Sequence, residues 1–398
     1  MTAATQTINA IDTLKNDLSS VLPQIASAAP PLKSTGTLDA YASIDLTPSI
    51  GTEFVAYKRE GKPTISVREV LQDEKKLRDL AILVSQRGVV FFRDATVTPE
   101  EQKDLVQALG KAGGRPADHS LHVHPLSSDR SEFGKEISVI SSEYTFDKKF
   151  EREAEPVYSK YSGAREWHSD VTFEPAPSDY ATLQIRDLPE SGGGKPSRAS
   201  FATVMLTLDP PSLLDTLWAS GYELVDRLTP AYRKFLESLT AEHQGSFFLA
   251  AAKAKNEPLR TNRGSPLNNT LDLKAVHPVL RTNPVTGWQS LFVNGVFTKK
   301  IVELNHEESE NVLKFLAQHI SANHDAQVRF RWEASNLAIW DNRATFHAAT
   351  KDFDRLSGQV RTGTRSVSVG EKPYFDPESL TRREAIAAGQ ASGLQRHQ

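Results

Sequence analysis

The sequence predicts one β-rich α+β domain with helices packed outside the strands. Three observations carry this. Short apolar runs of strand type recur through the body, separated by turn residues or helical stretches. Glycine-rich phosphate loops are absent: GxxxxGK[ST] does not occur, and Gly192-Gly193-Gly194 opens no helix, which argues against a doubly wound sheet. The 398 residues suffice for a large core that needs no covalent staples.

Along the chain, residues 1–45 are rich in Ala, Ser, Thr and Pro and read as a mobile N-terminal tail. The domain is expected over 46–380, and 381–398 as a polar C-terminal tail. Val67 to Val84 has helical spacing, with Val70, Leu71, Leu77, Leu80 and Leu83 as the apolar set. Gly88 to Arg93 reads as a buried strand. Thr98-Pro99-Glu100-Glu101 opens the next helix with a capping box and a proline in the first turn. Asn305 with Glu308 does the same for a helix carrying Val312, Phe315, Leu316 and Ile320. Further strands are expected at Ile137 to Ile140, Tyr180 to Ile185, Thr216 to Ala219, Leu291 to Val293, Val328 to Trp332, Leu337 to Trp340 and Ser366 to Val369.

Composition excludes several chemistries. There is no cysteine, so disulfides, zinc–cysteine sites, iron–sulfur clusters and cysteine nucleophiles are ruled out. Any metal must sit on His, Asp or Glu. Lys and Arg number 47 against 50 Asp and Glu, and this near balance argues against a nucleic-acid partner. No segment approaches the roughly 18 apolar residues of a membrane span. Neither end reads as a targeting or lipidation signal. The expectation is a cytoplasmic protein without a membrane partner; a homo-oligomer is left open.

One place has His and Asp two apart: Trp167-His168-Ser169-Asp170. On extended backbone these side chains share a side, so an imidazole and a carboxylate could grip one ion. His347 is the best third ligand. Two His and one carboxylate form a facial triad with open positions, which suits non-haem Fe(II) and oxygen chemistry. The pair alone is weak, because a lone His beside Trp is more often a hydrogen-bonded core residue. Arg361 and Arg365 add weight. Their spacing puts both on one face of a strand, and two inward guanidiniums beside such a site suit two anionic ligands.

Trp167-His168-Ser169-Asp170-Val171-Thr172-Phe173 resembles the metal-binding motif of the taurine dioxygenase family of Fe(II)/2-oxoglutarate-dependent oxygenases. So do Leu121-His122-Val123-His124-Pro125, Asp215 to Gly221, Leu291 to Asn294, Trp340-Asp341-Asn342-Arg343 and Gly370-Glu371-Lys372-Pro373, in the family's order over roughly residues 50–375. The resemblance implies a double-stranded β-helix (jelly roll) with flanking helices. It implies Fe(II) on His168, Asp170 and His347, with 2-oxoglutarate as co-substrate and O2 as oxidant. Thr216 and Arg361 match residues that contact 2-oxoglutarate. His124, Phe297 and Arg365 match residues that line the substrate pocket, with Arg365 as partner of a sulfonate. Asp170 is present where a chlorinating relative would lack a carboxylate, so hydroxylation is expected. The implied reaction hydroxylates a small taurine-like sulfonate at the carbon bearing sulfur. Sulfite and an aldehyde leave, with succinate and CO2 as co-products.

Two departures bear on the substrate. Taurine-specific members carry Tyr where Ser127 stands and Asn where Ala164 stands. Both changes remove polar contacts that could hold an amine, which weakens selection for it. Aryloxyacetates and alkyl sulfates stay open as alternative anionic substrates, as does a non-catalytic jelly-roll binding protein. The family's Gly-Gly-Asp-Thr-Leu-Trp run is also interrupted: Gly194 to Leu214 separates Gly193 from Asp215. Gly194-Lys195 and Leu214-Asp215 can be encoded with splice-donor and splice-acceptor sequences. A retained intron and a genuine surface loop are weighed about equally.

Overall fold

Leu38 and Ala42 are buried, and Asp79 accepts hydrogen bonds from the backbone and hydroxyls of Thr35 and Thr37 at 2.7–2.9 Å. The stretch expected as a tail over 1–45 is therefore held in place from Thr35 onward, because two apolar side chains and a threonine clasp tie it down. The computed structural model describes residues 30–127, 133–141, 166–187, 215–256, 258–350 and 362–390. Arg361, Ala164 and the segment 194–214 lie outside the described residues.

Strands β1 (Ser43–Asp45) and β2 (Thr52–Phe54) precede α1 (Val67–Leu71) and α2 (Glu74–Arg87). The single helix expected over 67–84 is two, since Asp73 takes extended backbone and accepts from the Lys75 and Lys76 amides as an N-cap. Next come β3 (Val89–Phe92) and α3 (Pro99–Ala112), which starts with the expected Thr98–Glu101 capping box. β4 (Ile137–Ser141), β5 (Ser178–Asp187) and β6 (Thr216–Ser220) follow, then α4 (Gly221–Asp226), α5 (Pro230–Glu237) and β7 (Thr240–Gln244). After α6 (Ser246–Lys255) the chain runs through β8 (Lys274–Pro278), β9 (Leu280–Thr282), β10 (Gln289–Leu291) and β11 (Thr298–Ile301). Helix α7 (His306–Ala322) opens on the Asn305–Glu308 box. It buries Val312, Leu316 and Ile320, while Phe315 faces outward. β12 (Gln327–Phe330), β13 (Leu337–Asp341), β14 (Thr345–Ala349), β15 (Thr362–Val369) and α8 (Arg382–Ala387) complete the chain. α8 buries Arg382 and Ala385, so the packed region runs past the expected boundary at 380.

The large sheet has the order β1-β2-β3-β13-β5-β15-β4. All its pairs are antiparallel except β2 with β3. It faces a smaller sheet, β12-β6-β14. Both faces of the large sheet are covered at β3 and β13, which is why these two strands read as apolar runs. In β3 and β13, Val90, Phe92, Leu337 and Ile339 pack under α1–α3. The alternate residues Val89, Phe91, Ala338 and Trp340 face inward against Trp218 of β6 and Val328 and Phe330 of β12. The back of the small sheet packs Ala219, Phe346 and Ala348 on Leu224, Leu316 and Ile320. Two facing sheets with helices outside form the jelly-roll architecture that the resemblance implied.

Candidate metal centre

The turn from β13 to β14 is built by its own charges. Asp341 accepts from the Arg343 amide at 2.9 Å and from its guanidinium at 2.8 Å on each carboxylate oxygen. Ser85 and Asn283 complete the shell around Asp341. All of these groups are buried, so the carboxylate and guanidinium must pair to offset their lost hydration. The turn aims Asn342 at Asp170. Asn342 Nδ2 donates to Asp170 Oδ2 at 3.3 Å and to Ser178 Oγ at 2.8 Å, and Asn342 Oδ1 accepts from the Asp170 and Trp340 N–H groups.

β14 presents His347. It pairs with β6, placing His347 opposite Trp218 and Ala349 opposite Thr216. Cross-strand partners share a face, so His347, Trp218 and Thr216 all point toward the large sheet. His168 joins the far side of β14 by two reciprocal backbone bonds with His347, of 3.0 and 2.8 Å. The three expected ligands meet: one donor atom each of His168, Asp170 and His347 lies within 4.8 Å of the others.

The donor chemistry fits a cation. His168 Nδ1 donates to the Glu166 carbonyl at 2.9 Å, which leaves Nε2 as a free lone pair. Burial lowers the pKa of His168, and lowers that of His347 to about 3, aided by His168. Both are thus neutral and able to ligate at physiological pH. Burial works to raise the Asp170 pKa, but Arg365, His347 and His168 outweigh it and hold it at about 2. His347 Nε2 stands 3.8 Å from Asp170 Oδ1.

The other expected site residues surround this cluster. Arg365, half-buried on β15, donates from one terminal nitrogen to Asp170 Oδ1 at 2.6 Å. Thr216 Oγ1 accepts from the Trp332 indole at 3.0 Å. Phe297 lies with its ring centre 6.1 Å from that of His168. His124 stands edge-on to Phe248 at 4.7 Å. Its Nδ1 accepts from the Leu126 amide, so the neutral ring carries its proton on Nε2. Burial, with His122 and Arg365 nearby, lowers its pKa to about 3.

Sequence reasoning missed two sets of residues. Asn342 was legible only as part of the Trp340–Arg343 motif. Phe173, Phe247 and Phe248 form an apolar wall with Phe297, at ring separations of 4.1–6.4 Å. Gly245 makes room for it: a Cβ there would sit 3.1 Å from Phe173 and 3.2 Å from Phe248. The Phe247-Phe248 pair has no spacing that would mark it.

A jelly roll that gathers two His and one Asp at its mouth defines a non-haem metal oxygenase architecture. The family model described as "Taurine catabolism dioxygenase TauD, TfdA family" matches residues 43–366. The chain belongs to this family. It is a 2-oxoglutarate-dependent dioxygenase, using Fe(II), 2-oxoglutarate and O2. The alpha-ketoglutarate-dependent dioxygenase esdpJ of Penicillium shearii is 41% identical over 375 residues, covering 89% of this chain and 96% of that protein. An alpha-ketoglutarate-dependent sulfonate dioxygenase of Saccharomyces cerevisiae is 28% identical, covering 84% of this chain and 71% of that protein. The crystal structure of a taurine dioxygenase from Burkholderia xenovorans superposes with a TM-score of 0.59 at 23% identity. That match covers 85% of this chain and 94% of the other, and it supports the jelly-roll fold.

Proposed function

We propose that the enzyme hydroxylates a small organic sulfonate at the carbon bearing sulfur, releasing sulfite and an aldehyde. One observation carries this reading. The Arg365 guanidinium reaches the metal cluster with a single nitrogen engaged on Asp170, while its Nε is buried without a hydrogen-bond partner. A guanidinium with spare donors beside a metal site is an anion receptor. The sulfonate dioxygenase relative points the same way.

His168, Asp170 and His347 hold Fe(II), which with 2-oxoglutarate and O2 supplies the oxidising power. Thr216 and Arg361 hold 2-oxoglutarate. Arg365 takes the substrate's anionic group, and His124, whose Nε2–H is free to donate, takes a second oxygen. Phe297 borders the reacting carbon and excludes water. Ser127 lacks the reach of the tyrosine that stands there in taurine-specific relatives, and its Oγ is turned to donate to the Lys135 carbonyl at 3.0 Å. The apolar wall of Phe173, Phe247 and Phe248 suits an uncharged body instead. The substrate is therefore a sulfonate without a required amine.

A panel of taurine, alkyl sulfonates, alkyl sulfates and aryloxyacetates tests this. The full chain with Fe(II) and ascorbate is assayed for succinate and sulfite together. Equal release of both from an amine-free sulfonate is expected. Substrate-dependent succinate only with an aryloxyacetate or a sulfate ester would sink the sulfonate assignment.

A further inference from the structure

We infer that Arg365 couples metal binding to the arrival of the anionic substrate, by holding the same oxygen of Asp170 that a metal would use. This rests on the proposed reading of Arg365 as the partner of the substrate's anion. The two oxygens of Asp170 have different surroundings. Oδ2 accepts from Asn342 at 3.3 Å, on the side of the β13–β14 turn. Oδ1 faces His347 Nε2 at 3.8 Å, so it is the oxygen on the ligand side. Arg365 sits on that oxygen, at 2.6 Å.

A guanidinium and a divalent cation therefore compete for one carboxylate oxygen, or share it at the cost of like-charge repulsion in a buried setting. Asp170 is nearly inaccessible to water and the Arg365 side chain is only 19% exposed, so solvent screens the two positive charges weakly. Arg365 retains donors for another acceptor, including the unpartnered Nε. An anion that takes those donors neutralises the guanidinium or draws it off Oδ1. Either way the metal's hold on Asp170 strengthens. Linkage makes the effect mutual, so the metal strengthens anion binding by the same factor. Arg365 is thus a positioning residue for Asp170 as well as an anion receptor.

The test reads binding without turnover. Co(II) is titrated into the full chain without 2-oxoglutarate or O2, at constant ionic strength, and followed by its visible bands. The titration is repeated with methanesulfonate and with inorganic sulfate. The anion is expected to tighten Co(II) by roughly 5–150-fold, the usual range of site-to-site coupling. Arg365→Gln should bind Co(II) more tightly than the natural chain when no anion is added, and should lose the response to it. Anion-independent Co(II) affinity in the natural chain would overturn the coupling, whatever the variant does. So would an Arg365→Gln protein that keeps the full response. Turnover of a sulfonate without coupling would sink this inference alone. Coupling to inorganic sulfate with no sulfonate turned over would leave it standing and remove the proposed substrate.

Discussion

The two sides of the site are held by different forces. On the metal side, side chains are fixed by directional bonds: Asn342 orients Asp170, Glu166 orients His168, and the Asp341–Arg343 pair fixes the turn beneath them. On the aromatic side, Phe173, Phe247, Phe248 and Phe297 are held by ring packing. Hydrogen bonds specify direction to within a narrow cone, whereas packed rings specify mainly volume. The metal side thus suits a fixed chemistry, and the aromatic side can change shape without disturbing it.

The largest expected effects fall on the metal side. His168→Ala, Asp170→Ala and His347→Ala should each reduce succinate formation to near background and abolish Co(II) binding. Full activity in any one would remove that residue from the site. Asn342→Ala leaves all three residues in place but removes the bond on Asp170 Oδ2, leaving Arg365 on Oδ1. Loss of such a supporting bond typically weakens metal binding about 10–100-fold. Unchanged Co(II) affinity in that variant would erase the contrast between the two sides.

A smaller and different effect is expected on the aromatic side. Phe248→Leu should change the kcat/KM ratio between a long and a short alkyl sulfonate by roughly tenfold, the scale on which apolar pockets discriminate. Co(II) affinity should not move. A matched loss of metal affinity would show that the rings also position the ligands.

The smallest effect sharpens how the two sides are joined. His277 lies beneath the ligand loop, and its Nε2–H donates to the carbonyls of Thr172 and Glu174 at 3.0 Å. Burial lowers its pKa to about 3, with Arg281 adding to the shift. Its folded pKa lies below the unfolded value near 6.5, so the unfolded chain binds the extra proton between those limits. Its contribution is intact above pH 6.5 and is lost as pH falls toward 3. The slope is about 1.4 kcal/mol per pH unit for one such group. His277→Gln should flatten the pH dependence of stability, measured by denaturant unfolding from pH 7 to 5, by about that slope. An unchanged slope would mean that His277 is not buried neutral.

The sequence was most legible where one local rule decides the outcome. The boxes at Thr98 and Asn305, and the apolar strands at Val89 and Leu337, form as expected because capping and burial are written in a few adjacent residues. β7 and β8, reading TAEHQ and KAVHP, carry no clear alternation, and β14 was hidden although it bears His347. Leu291–Val293 was expected as a strand, but the strand is Gln289–Leu291, since Asn294 bends the chain by accepting from the Val296 and Phe297 amides. The triad was legible because its residue types are rare and its motifs ordered. The aromatic wall was not, since phenylalanines far apart in sequence show kinship only once folded. The expected boundary at residue 45 missed the clasp on Asp79, which depends on a helix far along the chain.

The reciprocal backbone bonds between His168 and His347 make these two histidines a single unit. Each main chain holds the other, so their separation does not depend on which side chains they carry. Asp170 stands two residues beyond the bridge, reached by Asn342 and Arg365 rather than by the bridge itself. The cluster therefore has one half set by main chain and one half set by side chains. A substitution at Asn342 or Arg365 can shift Asp170 while the histidine frame stands, so the geometry of the cluster is tuned through its carboxylate.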